Sequence, residues 1–486
     1  MTTPIPVPPS SRPRVVVVGG GISGLTAALR LAAAADVLVL EAAPRTGGVL
    51  QRAEVGGVVL DTGAESLLAR RPEAVALARA VGLGADLVEP ATTRAALRVD
   101  GRLHPLPPGT LLGVPGHPER LQGLLTEADV ARVAAEPGLP APPLADDVAV
   151  GAYVASRMGP AVVARLVEPL LGGVYAGRAA ALSLQAAAPQ LWAHAARGGS
   201  LLHAVQERTS APGTVAAPVF AGISGGVARL PDAVRDALTA AGGAVRCGVD
   251  VRALARTGAG WAVETGAGTE RADAVVLAVP APVAARLLAP AAPAAAAELA
   301  PVETASTALA ALAVPTAQLA GLDGSGVLVP PAEGAREGLQ AKALTLSASK
   351  WDWVRAQRSD VRVLRVSLGR AGEDAVLDRD DDDLLRTATA DASRLLGREL
   401  RPVDAALVRW RAGLPQYAVG HAARVRRLRA AVADVPGLAV CGSVLDGVGV
   451  PACVAAAERA AQELLAQLAA AGVAPGAAAA GGRMEP

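Results

Sequence analysis

Four consecutive valines, Val15 to Val18, run into a glycine-rich turn. Helical apolar spacing follows over roughly Leu25 to Ala34, and a second apolar run, Val37 to Leu40, comes next. Continuous short apolar runs read as buried strands, so this opening predicts a βαβ unit. Two further short apolar strands are expected far along the chain. Ala274 to Ala278 stops at Pro280, and Leu438 to Val440 runs into Gly442, ahead of a helix from about Pro451 to Leu468. Strands so distant in sequence predict one nucleotide-binding domain assembled from residues 13–70, 215–300 and 434–470. Between Arg71 and Arg208 the pattern is mainly helical, with Pro or acidic starts at Pro118-Glu119 and Asp146-Asp147, so 71–214 is expected to be a helical domain. Alternation from Thr304 to Ser347 and from Val361 to Leu368 predicts sheet strands, and 301–433 is expected to be a substrate-binding domain. The tails, 1–12 and 471–486, are expected to be disordered. The fold class is α/β: a Rossmann-like domain, a mixed-sheet domain and a helical domain.

Composition narrows the function. A chain of 486 residues with 46 basic and 45 acidic side chains, net +1, has no overall field that would favour nucleic acid. Mean hydropathy is +0.37, but each long apolar stretch is interrupted within the length a membrane helix needs. Ala281 to Ala300 contains Pro282, Arg286, Pro290 and Pro293. No integral membrane segment is therefore expected. Cys247, Cys441 and Cys453 are odd in number, widely spaced and without nearby histidines, which predicts reduced thiols in a cytoplasmic protein and no metal site. The location expected is the cytoplasm, or a membrane surface reached from it. Scarce lysine (Lys342 and Lys350 only) is a compositional habit of GC-rich genomes.

The turn Gly19-Gly20-Gly21-Ile22-Ser23-Gly24 fits GxGxxG between a strand and a helix. Gly19 permits the tight turn, Gly21 the approach of a pyrophosphate, and Gly24 close helix–strand packing, with the phosphates at the helix N-terminus. Glu41 ends the second strand, where a carboxylate accepts hydrogen bonds from a ribose diol. The continuation Glu41-Ala42-Ala43-Pro44-Arg45-Thr46-Gly47-Gly48 puts an arginine and two glycines near the pyrophosphate, which suits a dinucleotide held permanently.

That continuation, with Asp61-Thr62-Gly63-Ala64-Glu65-Ser66, resembles the flavin amine oxidase superfamily. LVEPLLGGVYAGRAAALS (166–183), SASKW (347–351), RWRAGLPQYAVGH (409–421) and CGSVLDGVGVPAC (441–453) resemble its porphyrinogen oxidase branch, in the family's order along nearly the whole chain. The resemblance implies FAD as cofactor. It assigns the ADP half to Gly19 to Gly24, Glu41, Ala42, Arg45 and Gly48. Gly63, Ala64, Glu65 and Ser66 are implied to lie by the flavin, Val251 to flank the adenine, and Trp410 with Gly447, Val448, Gly449 and Val450 to close over the isoalloxazine. On the substrate side it implies Gly173, through its carbonyl at the pyrrole N–H groups, with Val174 and Tyr175 beside it. Propionates require arginine forks; Arg94 and Arg71 are the leading candidates, Arg98 and Arg178 the weaker ones. The five histidines, His421 in PQYAVGH included, read as structural.

The chemistry implied is six-electron oxidation of a porphyrinogen in three two-electron rounds, with oxygen as acceptor and hydrogen peroxide as product, in haem biosynthesis. A transient contact with the next enzyme of that pathway is expected. Coproporphyrinogen III, with four propionates, is favoured over protoporphyrinogen IX because several arginines could surround it. An amine oxidase is disfavoured because Pro301 to Ser306 lacks the lysine that such enzymes bring to the flavin, and aromatics are 2% of the chain. A carotenoid desaturase, or a flavoprotein that has lost turnover, remain the alternatives.

Overall fold

The computed structural model describes residues 12–209, 219–258 and 260–471. The tails expected to be disordered lie, apart from Arg12 and Ala471, outside those residues. Along the chain, β1 (Arg14–Val18), α1 (Ile22–Leu31) and β2 (Asp36–Glu41) are followed by α2 (Pro72–Ala80) and a hairpin of β3 (Ala95–Val99) and β4 (Arg102–Pro105). Next come α3 (Val150–Met158), α4 (Glu168–Tyr175), β5 (Ala244–Cys247), β6 (Val251–Thr257) and β7 (Ala274–Leu277). The later part holds β8 (Thr304–Pro315), β9 (Gly326–Leu328), β10 (Ala341–Thr345), β11 (Val361–Leu368), α5 (Asp381–Leu396), β12 (Asp404–Pro415), α6 (His421–Ala433), β13 (Leu438–Val440) and α7 (Val450–Ala470).

The valines of β1 are almost fully buried because the strand sits at the centre of a five-stranded sheet, order β5-β2-β1-β7-β13, in which every pairing is parallel. Strands covered on both faces read as unbroken apolar runs. Thus three segments far apart in sequence, around Val16, Val276 and Ala439, share one sheet. The α1 helix starts and ends about three residues before the expected bounds, because the chain must turn at Ala32–Ala35 to put the Asp36 N–H on the Pro13 carbonyl (2.8 Å).

A second sheet of seven strands, order β12-β8-β11-β10-β9-β3-β4, is mixed: β9 pairs with β3 in parallel and the other neighbours are antiparallel. Residues 95–105, inside the span expected to be helical, therefore belong to this sheet. Their alternation is short, and it is β9, a partner distant in sequence, that recruits them. One face of the sheet, with Val327, Leu344, Val366 and Ala310, is packed under α5 in a single core. The opposite face carries the register row Leu328, Ala343, Ser367, Leu309 and Val408, with Trp410 two residues further along β12. In the helical region the buried Glu136 accepts from Arg157, the Ser200 hydroxyl and the Leu201 and Leu202 amides, so its charge is fully partnered.

Candidate functional site

The nucleotide turn is shaped by close approach. A Cβ on Gly24 would lie 1.9 Å from the Gly19 carbonyl oxygen, and one on Gly19, at φ +105°, would lie 2.4 Å from the Ala278 carbonyl oxygen. A Cβ on Gly21 would meet nothing within 4 Å, so the space in front of this backbone is an open cradle. Gly21 caps α1, and Gly449 caps α7. Neither helix has a side-chain cap or an acidic residue in its first turn, so both positive ends are free to face an anion or an electron-rich ring. The helices pack side by side, which brings the two ends together. Glu41 accepts from the Gly20 N–H (2.6 Å) and the Ala43 N–H (2.8 Å) at the mouth of the cradle. Val251 opens β6 beside it, since the Val249 N–H donates to the Glu41 carbonyl at 2.9 Å. The Thr46 hydroxyl, between Arg45 and Gly48, is buried without a partner among the described residues.

A second turn, Asp61 to Ser66, closes against the seven-stranded sheet. Gly63 must be glycine because a Cβ would fall 1.8 Å from the Val49 carbonyl oxygen. The Trp410 indole N–H donates to the Thr62 carbonyl at 2.9 Å, and Arg365 donates to the Asp61 carbonyl at 2.8 Å. The Glu65 carboxylate, 9% exposed, is held by Lys350 (2.7 Å), Ser347 (3.2 Å) and Arg365 (3.3 Å). Burial alone would raise its pKa, but the two cations and the hydrogen bonds outweigh burial and hold it at about 2. Asp61 behaves in the opposite way: burial pushes it up to about 6 against the pull of the Ala228 and Val227 amides and Arg365. Glu65, expected at the flavin, thus has its side chain taken up by Ser347, Lys350 and Arg365.

The third part is the C-terminal end of α4. Gly173 and Val174 are exposed, and a Cβ on Gly173 would have only the Leu328 side chain near it, at 3.8 Å. The last turn is pinned on both sides of that glycine. The Ala176 N–H donates to Gly172, Gln416 donates to the Tyr175 carbonyl (2.8 Å), and the Ala371 N–H donates to the Ala176 carbonyl (2.7 Å). Among the described residues no donor reaches the Gly173 carbonyl. Leu328 lies in the sheet row that leads to Trp410, so Gly173 and the Asp61 to Ser66 turn address the same face of the sheet. Val448 and Leu328 pack against one core, which joins the Gly447 to Val450 turn to that face.

With this geometry in view, a family described as flavin containing amine oxidoreductase matches residues 22–465. The chain belongs to that family. It is 43% identical over 453 residues to the coproporphyrinogen III oxidase of Mycobacterium tuberculosis, spanning 91% of this chain and 95% of that protein. It is 30% identical to the coproporphyrinogen III oxidase of Bacillus subtilis over 90% and 95% of the two chains. A solved structure from Exiguobacterium sp. 255-15, provisionally described as a protoporphyrinogen oxidase, matches with a TM-score of 0.83 at 32% identity, covering 95% of this chain and 99% of that one. The cofactor of this oxidoreductase is FAD, and the residues present fit it: an open glycine cradle, two uncapped helix ends and an orphaned Thr46 hydroxyl surround the place its pyrophosphate and ring would take.

Several side chains of this flavoenzyme lie elsewhere than expected. Arg71 opens α2, which packs on α7, and its charge bears on Cys453; it belongs with the nucleotide turns and pairs with Glu73 at 2.5 Å. Arg94 is 73% exposed and paired with Asp323, while Arg98 is paired with Glu337. Only Arg178, paired with Glu373 at 2.7 Å, stands at the end of α4. Tyr175 is buried, its hydroxyl donating to the Ala187 carbonyl (3.3 Å), and burial pushes its pKa to about 12. His421 stacks on Tyr417 and hydrogen bonds the Val444 carbonyl (2.9 Å), a structural role. Lys350 and Arg365 were invisible as partners of Glu65; the SASKW segment was the only signal. Both Cys441 and Cys453 are buried, and burial raises their pKa values, that of Cys453 to about 11, so neither offers a thiolate. FAD is therefore expected to be non-covalent: acid precipitation should leave a white pellet and a yellow supernatant, and a yellow pellet would contradict this.

Proposed function

We propose that this flavoenzyme oxidises coproporphyrinogen III to coproporphyrin III, with oxygen as acceptor, in haem biosynthesis in the cytoplasm. The observation that carries the reading is Gly173 on an exposed helix end: no donor reaches its carbonyl among the described residues, and its open Cβ side lies toward Leu328 in the sheet row that leads to Trp410. A broad, flexible tetrapyrrole needs such a clearing and an acceptor for its pyrrole N–H groups. The names of the relatives support the same substrate.

Bound FAD supplies a two-electron acceptor that oxygen can reoxidise. The residues of the chain do the rest by position. Gly172 and Gly173 leave room for the macrocycle edge, and the Gly173 carbonyl accepts a pyrrole N–H, orienting the ring and polarising the N–H whose proton must leave. Leu328 and Ala343 form an apolar floor. Trp410, fixed by the Thr62 carbonyl, holds the sheet to the flavin-side turn. Lys350 is paired with Glu65, and Lys342 is buried with one bond from its Nζ to the Gly369 carbonyl; neither belongs to the 301–306 stretch, where an amine oxidase would carry its flavin-side lysine.

The test is anaerobic mixing of the FAD-loaded protein with coproporphyrinogen III. Flavin absorbance should bleach and return in air, with three hydrogen peroxide molecules formed per porphyrin. kcat/KM should exceed that for protoporphyrinogen IX by about tenfold or more, the scale of one missing charged contact. A preference for protoporphyrinogen IX would change the substrate, and no bleaching with either would overturn the oxidase reading.

A further inference from the structure

Strand β10 carries one residue more than its neighbour. Ala341 pairs with Leu368 and Ala343 with Ser367, so Lys342 is the extra residue of a bulge. Bulges re-aim a side chain, often beside an active site. Lys342 is 6% exposed, its Nζ donates to the Gly369 carbonyl at 2.8 Å, and among the described residues no carboxylate lies within ion-pair distance of it. An ammonium has three donors, so two are left.

Its surroundings are cationic. Arg370, also 6% exposed, donates to the Val329 carbonyl (3.0 Å) and lies 3.8 Å from Glu373, which is closer to Arg178 at 2.7 Å. Glu168, in the first turn of α4, accepts from the Ala179 N–H (2.7 Å). Asp391 of α5 accepts from the Gln340 and Ala341 N–H groups, both at 2.8 Å. The carboxylates around Lys342 are thus each occupied, and Arg370 holds only the long side of a shared one. A valine or methionine would fill the bulge without burying a charge, so packing does not account for the lysine. Burial, then the Arg370 charge, pushes the Lys342 pKa down to about 7.

The cluster adjoins the substrate face. Lys342 precedes Ala343, the register partner of Leu328, and the Arg370 loop is tied to the end of α4 by the Ala371 N–H. The geometry points to Lys342 and Arg370 as a buried anion subsite that receives one propionate carboxylate of the substrate, an assignment that rests on the porphyrinogen reading above. None of the arginines expected from sequence supplies both burial and a vacant donor; this pair does.

Coproporphyrin III, the product, serves as the probe, titrated by fluorescence into FAD-loaded protein at pH 6 and pH 8. Its propionates stay ionised over this range, whereas Lys342 goes from mostly protonated to mostly neutral. A carboxylate that needs the charged form should bind about tenfold more weakly at pH 8, with uptake of nearly one proton on binding there. Lys342→Met should bind about tenfold more weakly at pH 6 and lose the pH dependence, while keeping its FAD content and thermal midpoint. A pH-independent wild-type Kd, or a variant that matches wild type at pH 6, would overturn the subsite. Wild-type protein that neither binds coproporphyrin III nor oxidises coproporphyrinogen III would instead sink the substrate reading, and this inference with it.

Discussion

Gly173→Val is expected to lower kcat/KM for coproporphyrinogen III by about a hundredfold or more, because a misplacement of about 1 Å at a reacting centre costs that much. FAD content and thermal midpoint should stay near those of wild type. The fold has room for the side chain: its Cβ would meet only Leu328, at an ordinary contact distance of 3.8 Å. Valine is also no worse than glycine inside a helix. What the branched methyls would occupy is the open space beside Gly173, on the side of Leu328, where the macrocycle edge is proposed to lie. Gly177 is the informative contrast. A Cβ there would sit 2.3 Å from the Gln416 side-chain oxygen, so its substitution should disturb the fold and the activity together. Steady-state kinetics, flavin absorbance and thermal unfolding of both variants separate the two cases. Retained turnover in Gly173→Val, or loss of its FAD, would remove Gly173 from the substrate site.

The second large effect is expected at Glu65. Glu65→Ala leaves Lys350 and Arg365 facing each other with their shared carboxylate gone, and removing one partner of a buried ion pair costs about 3–5 kcal/mol. The turn it anchors should loosen, so the variant should also lose FAD on gel filtration. The pH dependence has a definite sign. Glu65 has its pKa lowered from 4.5 to about 2 in the folded protein, so its contribution is present above pH 4.5 and fades as pH falls toward 2. Asp61 works the other way, since its pKa is raised from 3.8 to about 6; its contribution is present below 3.8 and lost as pH rises through 6. Chemical denaturation at pH 7 and pH 3 should therefore show a gap between wild type and Glu65→Ala that narrows at the lower pH. A gap that is absent at pH 7, or that grows in acid, would show that the carboxylate does not anchor the turn.

Much of the nucleotide half of this protein was determined by its sequence alone. Val15 to Val18, the six-residue glycine turn and Glu41 form one local unit whose geometry follows from steric contacts between near neighbours: the Gly24 Cβ position meets Gly19, and the Gly20 amide meets Glu41. Such constraints act within a few turns of chain and leave their mark as glycines and periodicity. The apolar runs Ala274–Leu277 and Leu438–Val440 were legible as strands for the same reason, although their places beside β1 and at the sheet edge depend on packing. The ion pairs were not legible. Arg71, Arg94 and Arg98 carry the charge that propionates require, yet Arg71 joins the nucleotide side and the other two meet Asp323 and Glu337, far along the chain. Glu65 finds Lys350 in a short helix and Arg365 in a strand of a different domain segment, equally remote in sequence. Lys342 stands out only once the bulge and its missing carboxylate are seen in space. A charged side chain has the same local pattern whether it meets water, a partner or a ligand. Only the tertiary structure, by bringing distant backbone together and excluding water, decides which of these it is.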